Sequence, residues 1–152
     1  MIFKRFYIIL MLACLSTAAY GQFRQMEAPP VSWSASCVND TLYVKAAVSD
    51  GWHIYALEMP EDGPSATSFD FSGCKDVTIG ECSPSREPET AYDEAFGMSV
   101  SSWGSDVSFR FSIHITGDAP LIRVAVRYMC CNGEICRPPA SQTLVMPLHK
   151  VE

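Results

Sequence analysis

Apolar and polar residues alternate with a period of two along almost the whole chain beyond its first thirty residues. Val31, Trp33 and Ala35 alternate with serines, and Leu42, Val44, Ala46 and Val48 alternate with Tyr43, Lys45 and Ala47. The cleanest run sets Val107, Phe109, Phe111, Ile113 and Ile115 against Ser108, Arg110, Ser112 and His114. Ile122, Val124, Val126 and Tyr128 follow, then Leu144, Met146 and Leu148. A period of two puts successive side chains on opposite faces of a strand, and no stretch shows the 3.6-residue period of an amphipathic helix. Thr67, Phe69 and Phe71 share one face of a shorter strand, and the Asp50-Gly51 turn signal leads into Trp52-His53-Ile54-Tyr55. Asn39-Asp40-Thr41 matches a glycosylation sequon but reads as the turn between the first two strands. About seven to nine short strands with turn signals between them predict an all-β, immunoglobulin-like antiparallel sandwich. Each sheet is expected to be packed on one face and wet on the other. Residues 83–95 break the pattern: rich in Pro, Glu and Asp, they read as a long loop.

The first 21 residues stand apart. Lys4-Arg5 precede an apolar run from Phe6 to Leu15, and Ala19-Tyr20-Gly21 puts small residues where a signal peptidase reads. This predicts a signal peptide over 1–21 and a single domain over 22–152. The apolar run is too short to span a bilayer, which takes about 20 residues. Met11-Leu12-Ala13-Cys14 is a poor lipobox, so a lipoprotein anchor is not the expectation. Removing the segment leaves six cysteines, Cys37, Cys74, Cys82, Cys130, Cys131 and Cys136, in an exported chain, where disulfides persist. Six cysteines allow 15 complete pairings, which sequence does not sort. Losing Lys4 and Arg5 also takes the formal charge from −6 to −8. That acidity argues against nucleic-acid binding, which needs clustered Lys and Arg. No later segment is apolar enough to span a membrane.

Chemistry concentrates in Tyr128-Met129-Cys130-Cys131-Asn132-Gly133-Glu134-Ile135-Cys136-Arg137-Pro138-Pro139, which holds three of the chain's seven cysteines. A disulfide closing so small a loop is a weak staple, worth about 2 kcal/mol in the chain-entropy model. A pair that stabilises little yet sits exposed on a loop is better explained by reactivity, which makes exchange at Cys131 and Cys136 the working hypothesis. Asn132-Gly133 is the strongest two-residue hairpin signal. In an ideal hairpin, Cys131 faces Glu134, Cys130 faces Ile135 and Met129 faces Cys136. Cys131 and Cys136 are then diagonal neighbours about 7–8 Å apart, beyond a relaxed disulfide, so either the loop is irregular or the bond is strained and easily reduced. Arg137 favours a thiolate and Glu134 opposes it. Two other readings stay open: cysteines that are purely structural in a non-catalytic interaction module, and a Cu(I) site using Met129, Cys130, Cys131 and Cys136. Cys74 and Cys82 are a candidate structural disulfide, with Cys37 and Cys130 left over. Trp33, Trp52 and Trp103 read as packing residues.

The motif Tyr128-x-x-Cys131, a short loop, Cys136 and Pro138-Pro139 resembles the active-site motif of the amino-terminal periplasmic domain of the DsbD thiol:disulfide interchange family. Asp50-Gly51-Trp52-His53-Ile54-Tyr55 resembles that family's aromatic strand. Gly63-Pro64-Ser65-Ala66-Thr67-Ser68-Phe69 resembles the short form of its stand-alone members, and Tyr92-Asp93-Glu94-Ala95-Phe96-Gly97 its cap loop. The resemblance implies an immunoglobulin-like exchange domain whose disulfide, Cys131–Cys136, takes electrons from a membrane-linked donor and passes them to thioredoxin-like periplasmic proteins. No metal or organic cofactor is implied. Phe96 becomes the cap residue, Asp93 and Glu94 acidic neighbours restraining the thiolate, and His53 and Tyr55 lining residues. Cys130 is an addition to the motif, placed to compete as a resolving thiol, and the loop between the cysteines is one residue shorter than in the enterobacterial form. The chain carries neither a transmembrane conduit nor a CxxC thioredoxin-like domain, so it would depend on separate partners.

Overall fold

The computed structural model describes residues 28–148, which form ten strands and no helix. In chain order these are β1 (Val31–Val38), β2 (Thr41–Val48), β3 (His53–Tyr55), β4 (Ser68–Asp70), β5 (Val77–Pro84), β6 (Glu89–Asp93), β7 (Met98–Trp103), β8 (Val107–Ile115), β9 (Leu121–Cys131) and β10 (Cys136–Pro147). The expected signal segment, with Cys14, lies outside the described residues. One sheet runs β1-β2-β8-β5; the other runs β10-β9-β3-β7-β6, with β4 also paired to β9. β3 and β4 lie end to end along one side of β9: Ile54 opposes Cys130, and Phe69 opposes Val126. All named pairings are antiparallel, as an immunoglobulin-like sandwich requires.

The alternation becomes the core directly. Val107, Phe109, Phe111 and Ile113 of β8 are buried, and Ile122, Val124 and Val126 of β9 face them from the other sheet. Phe109 is completely buried, with ring centroids 4.9 Å from Phe69, 5.2 Å from Trp103 and 6.0 Å from Trp33. Trp52 is half-buried and carries the Arg137 guanidinium 5.4 Å from its ring centroid.

Residues 83–95 require a correction. They are not a long loop: β5 continues to Pro84, and Glu89–Asp93 is a strand paired with β7. β6 is the edge of its sheet and almost entirely exposed. A strand with no buried face has no reason to alternate, and acidic residues suit an unpaired edge.

A second, smaller cluster packs on the outer face of the β10-β9-β3-β7-β6 sheet. Tyr55, Val100 and Cys131 are buried there, with Met59, Phe96, Met98, Met129 and Cys136 packed around them. Neighbouring Ile54 and Cys130 belong instead to the main core. Successive residues of β3 and β9 therefore feed two hydrophobic layers on opposite sides of one sheet.

Candidate redox site

β9 and β10 bring the cysteines face to face. Cys131 opposes Cys136 in the ladder, Arg137 opposes Cys130, and the two cysteines form a disulfide with Cα atoms 4.1 Å apart. The ideal two-residue hairpin does not form; the loop is the irregular one of the two alternatives, four residues long, Asn132 to Ile135. Asn132 accounts for the difference. Its side-chain oxygen accepts from Glu134 N–H at 3.1 Å and Ile135 N–H at 2.7 Å, while its own N–H donates to the Ile135 carbonyl at 3.2 Å. Gly133 takes φ 86° inside this turn, a value suited to glycine. An Asx-type turn thus replaces the tight hairpin and moves Cys136 into direct register with Cys131. Past the disulfide the register shifts between Arg137 and Ala140, so Pro138 and Pro139, which have no N–H to give, sit in a bulge.

The pair is less open than a loop-tip disulfide. Cys131 is 1 % exposed, while Cys136 is only partly covered. The cover comes from the β6–β7 hairpin, whose turn spans residues 94–97. Gly97 N–H donates to the Asp93 carbonyl at 2.8 Å, and Gly97 has φ 65°. Phe96, in this turn, sits edge-on to Tyr55 with centroids 5.9 Å apart and packs into the cluster around Cys131. Glu94 is exposed at the start of the turn.

Tyr55 is the centre of the polar arrangement. Its hydroxyl lies 2.7 Å from Asp93 Oδ2, 3.0 Å from Cys131 Sγ and 3.9 Å from Cys136 Sγ. Burial, then the hydrogen bond and charge of Asp93, push the phenol well above its ordinary value of 10, so it stays a donor. The strand is held by Thr67, buried itself, whose hydroxyl donates to the Tyr55 carbonyl at 2.7 Å. His53 Nε2 lies 3.9 Å from Asp93 Oδ2, and burial holds its imidazole below the usual 6.5 despite the opposing pull of Asp93. A groove of about 360 Å³ opens beside these groups, between His53, Tyr92, Asp93 and Glu94 on one side and Gly133 of the cysteine loop on the other.

The chain matches the family model for the N-terminal region of the thiol:disulfide interchange protein DsbD over residues 24–147. It belongs to the DsbD N-terminal family. Among solved structures it is similar to the Neisseria meningitidis DsbD N-terminal domain in the reduced form, at 18 % identity and TM-score 0.59, covering 78 % of this chain and 85 % of that one. It is also similar to a chain of the complex between the DsbD N-terminal and PilB N-terminal domains of the same organism, at 16 % identity and TM-score 0.55, covering 83 % and 94 %. At these identities the likeness is one of fold. No curated protein matches the chain.

Among the described residues of this DsbD N-terminal chain, the other cysteines, Cys37, Cys74, Cys82 and Cys130, are free. The candidate Cys74–Cys82 disulfide is absent because β5 carries Cys82 away from Cys74 at roughly 3.3 Å per residue, past the roughly 7 Å that a disulfide bridges. Instead, the Cys74 sulfur accepts from Arg123 N–H at 3.4 Å and its thiol donates to the Arg123 carbonyl at 3.5 Å. That fills a gap on β9 between its pairing with β4 and the Lys75–Leu121 bridge. Cys82 is pushed up to about 11 by burial, and Cys37 is raised by burial and by Asp40. Cys130 is not a competing thiol at the site. It is 3 % exposed, lies on the face opposite Cys131, and is raised by burial against the pull of Arg137. The same alternation separates Arg137 from the disulfide and dissolves the Met129, Cys130, Cys131 and Cys136 copper set, since Cys130 points into the other layer.

Met59, Met98 and Val100, which help wall in the sulfurs, carried no signal as site residues in the sequence. Removing the lid offers a direct check on the cover. Phe96→Ala should raise severalfold the rate at which a bulky maleimide alkylates the reduced pair, and an unchanged rate would take Phe96 out of the site.

Proposed function

We propose that this domain is a thiol:disulfide oxidoreductase of the protein-disulfide reductase type, exported to the periplasm by its first 21 residues. It passes two electrons between a membrane-linked donor and thioredoxin-like acceptors through Cys131 and Cys136. The observation that carries the reading is the Cys131–Cys136 disulfide under a lid, with a buried hydroxyl 3.0 Å from one sulfur. The PilB N-terminal domain found with a DsbD N-terminal domain in the Neisseria complex supports a docked protein partner.

The unequal cover of the two sulfurs suggests the order of events. A partner thiolate attacks Cys136, the more accessible residue, and forms a mixed disulfide; Cys131 leaves as a thiolate beside the Tyr55 hydroxyl. The partner's second thiolate then attacks its own half of the mixed disulfide, which frees Cys136 and leaves the domain as a dithiol. Passing electrons onward runs the same steps in reverse on an oxidised acceptor. Phe96 must lift for either contact, and Asp93 and Glu94 set an acidic surround.

Trapping tests this order. Cys131→Ala, with Cys136 first activated as its mixed disulfide with thionitrobenzoate, should trap a CxxC partner whose resolving cysteine has been removed, the partner's remaining thiolate displacing thionitrobenzoate; Cys136→Ala treated the same way should trap much less through buried Cys131. Equal trapping by both variants would refute the assignment of Cys136 as the attacked sulfur. A disulfide that resists reduction until the domain unfolds would refute exchange altogether and leave a structural module.

A further inference from the structure

His53 is the site residue for which exchange at sulfur has no evident use. The ladder fixes it beside the disulfide, since it pairs with Cys131. Its ring stands edge-on to Tyr55, with centroids 5.1 Å apart at 86°. Its side chain keeps 24 % exposure and borders the open groove, so solvent can exchange its proton. Its Nε2 is 3.9 Å from Asp93 Oδ2, the same oxygen that accepts the Tyr55 hydroxyl at 2.7 Å. That hydroxyl is also 3.0 Å from Cys131 Sγ. It carries a single proton, which points at Asp93 or at the sulfur but not at both.

We propose that His53 is a positioning residue: once protonated, its ring takes hold of Asp93 Oδ2 and turns the Tyr55 hydroxyl onto Cys131 as that sulfur leaves. The inference rests on the exchange reading above. In the step concerned, an attacking thiolate bonds to Cys136 Sγ, the sulfur–sulfur bond breaks, and its electron pair departs on Cys131 Sγ. The Tyr55 O–H donates a hydrogen bond to the new thiolate and keeps its proton. With His53 neutral, the thiolate and the Asp93 carboxylate face each other across one hydroxyl. An imidazolium within about 4 Å of Asp93 offsets one of those charges, as an opposite charge at that range favours the ionised form.

Because burial holds the ring below 6.5, it charges only on the acid side of that value. The effect therefore has its midpoint below 6.5, grows as pH falls through that midpoint and fades as pH rises. The titratable groups facing His53 are Tyr55 on its own strand, Tyr92 and Asp93 of β6 and Glu94 of the cap turn; Cys131 of β9 joins them only once the disulfide opens, and β7 contributes the neutral Ser102. With two carboxyl groups in that set, the test turns on histidine variants and not on acidification alone.

The oxidised protein is reduced by excess dithiothreitol from about pH 8 to about pH 5, and each rate constant is divided by the reagent's thiolate fraction. The corrected constant should rise about tenfold on acidification, the worth of one hydrogen bond to a charged group. Its midpoint should match the titration of the His53 ring followed by NMR. His53→Phe, which keeps the edge contact with Tyr55, and His53→Gln, which keeps a neutral polar group, should both lose the rise. A flat wild-type profile, or a rise that survives in both variants, overturns the assignment while leaving exchange intact. A disulfide that dithiothreitol opens at no pH overturns the exchange reading and this one with it.

Discussion

Tyr55→Phe should slow the opening of the Cys131–Cys136 disulfide by dithiothreitol about a hundredfold, with the fold retained. The hydroxyl is the one polar hydrogen-bond donor within 3.0 Å of Cys131 Sγ among the described residues, and Cys131 is 1 % exposed. When it leaves as a thiolate, water is not at hand to solvate it. A hydrogen bond to a charged group is worth about 1.5–3 kcal/mol, and about 2.7 kcal/mol is a factor of a hundred. The ring itself stays, so its edge contacts with His53 and Phe96 persist. Asp93 loses one partner but keeps the Ala95 N–H on Oδ1 at 2.9 Å, which limits the structural cost to about 1 kcal/mol. Stopped-flow reduction of the oxidised variant, alongside its thermal unfolding, separates two roles for the hydroxyl. A large rate loss with a small change in stability places it on the leaving sulfur. A normal rate with a lowered Tm would mean that it only holds the cap hairpin to the sheet.

The sandwich was legible in the sequence wherever one face of a strand is buried. The predicted alternation from Val107 to Ile115 is β8 residue for residue, and Ile122, Val124 and Val126 are the inner face of β9. Legibility failed where that physics does not apply. β6 is exposed on both faces and left no period to find, so it read as a loop. At Tyr128–Cys131 and His53–Tyr55 the opposite holds: both faces are covered in part, because a second hydrophobic layer sits outside the sheet. Two-sided burial in an otherwise alternating antiparallel strand is the trace of that layer.

The site was legible as chemistry and less so as geometry. Cys131, Cys136, Tyr55, His53, Asp93 and Phe96 come together within one lid-and-ladder arrangement. The register of the cysteine loop stayed open in the sequence because Asn132-Gly133 carries two turn preferences. The local hairpin signal lost to side-chain capping by Asn132, which closes a loop two residues longer. Cys130 looked like a rival thiol because it adjoins Cys131 in sequence, yet in a strand adjacency means opposite faces. Parity alone turns it, and Arg137 opposite it, to the other face of the sheet from the disulfide.

Phe109→Ala should destabilise the domain by about 3–5 kcal/mol, the usual cost of emptying a fully buried aromatic site. Phe109 is 0 % exposed on β8 and touches Trp33, Phe69 and Trp103, so the cavity would lie between the two sheets. It belongs to the main core, whereas the disulfide belongs to the outer layer. Reducing the disulfide should cost far less, about 2 kcal/mol for so short a ring in the chain-entropy model. A small domain is typically stable by about 5–15 kcal/mol, so the smaller loss is survivable while the larger approaches the whole. Urea unfolding of the wild type and of Phe109→Ala, each oxidised and reduced, measures both quantities. The two effects should add within about 0.5 kcal/mol, as expected of sites in separate layers. Strong coupling between them, or a reduced wild type that unfolds at low urea, would mean that the redox bond is part of what holds the sandwich together. A domain built that way could not cycle its disulfide and stay folded.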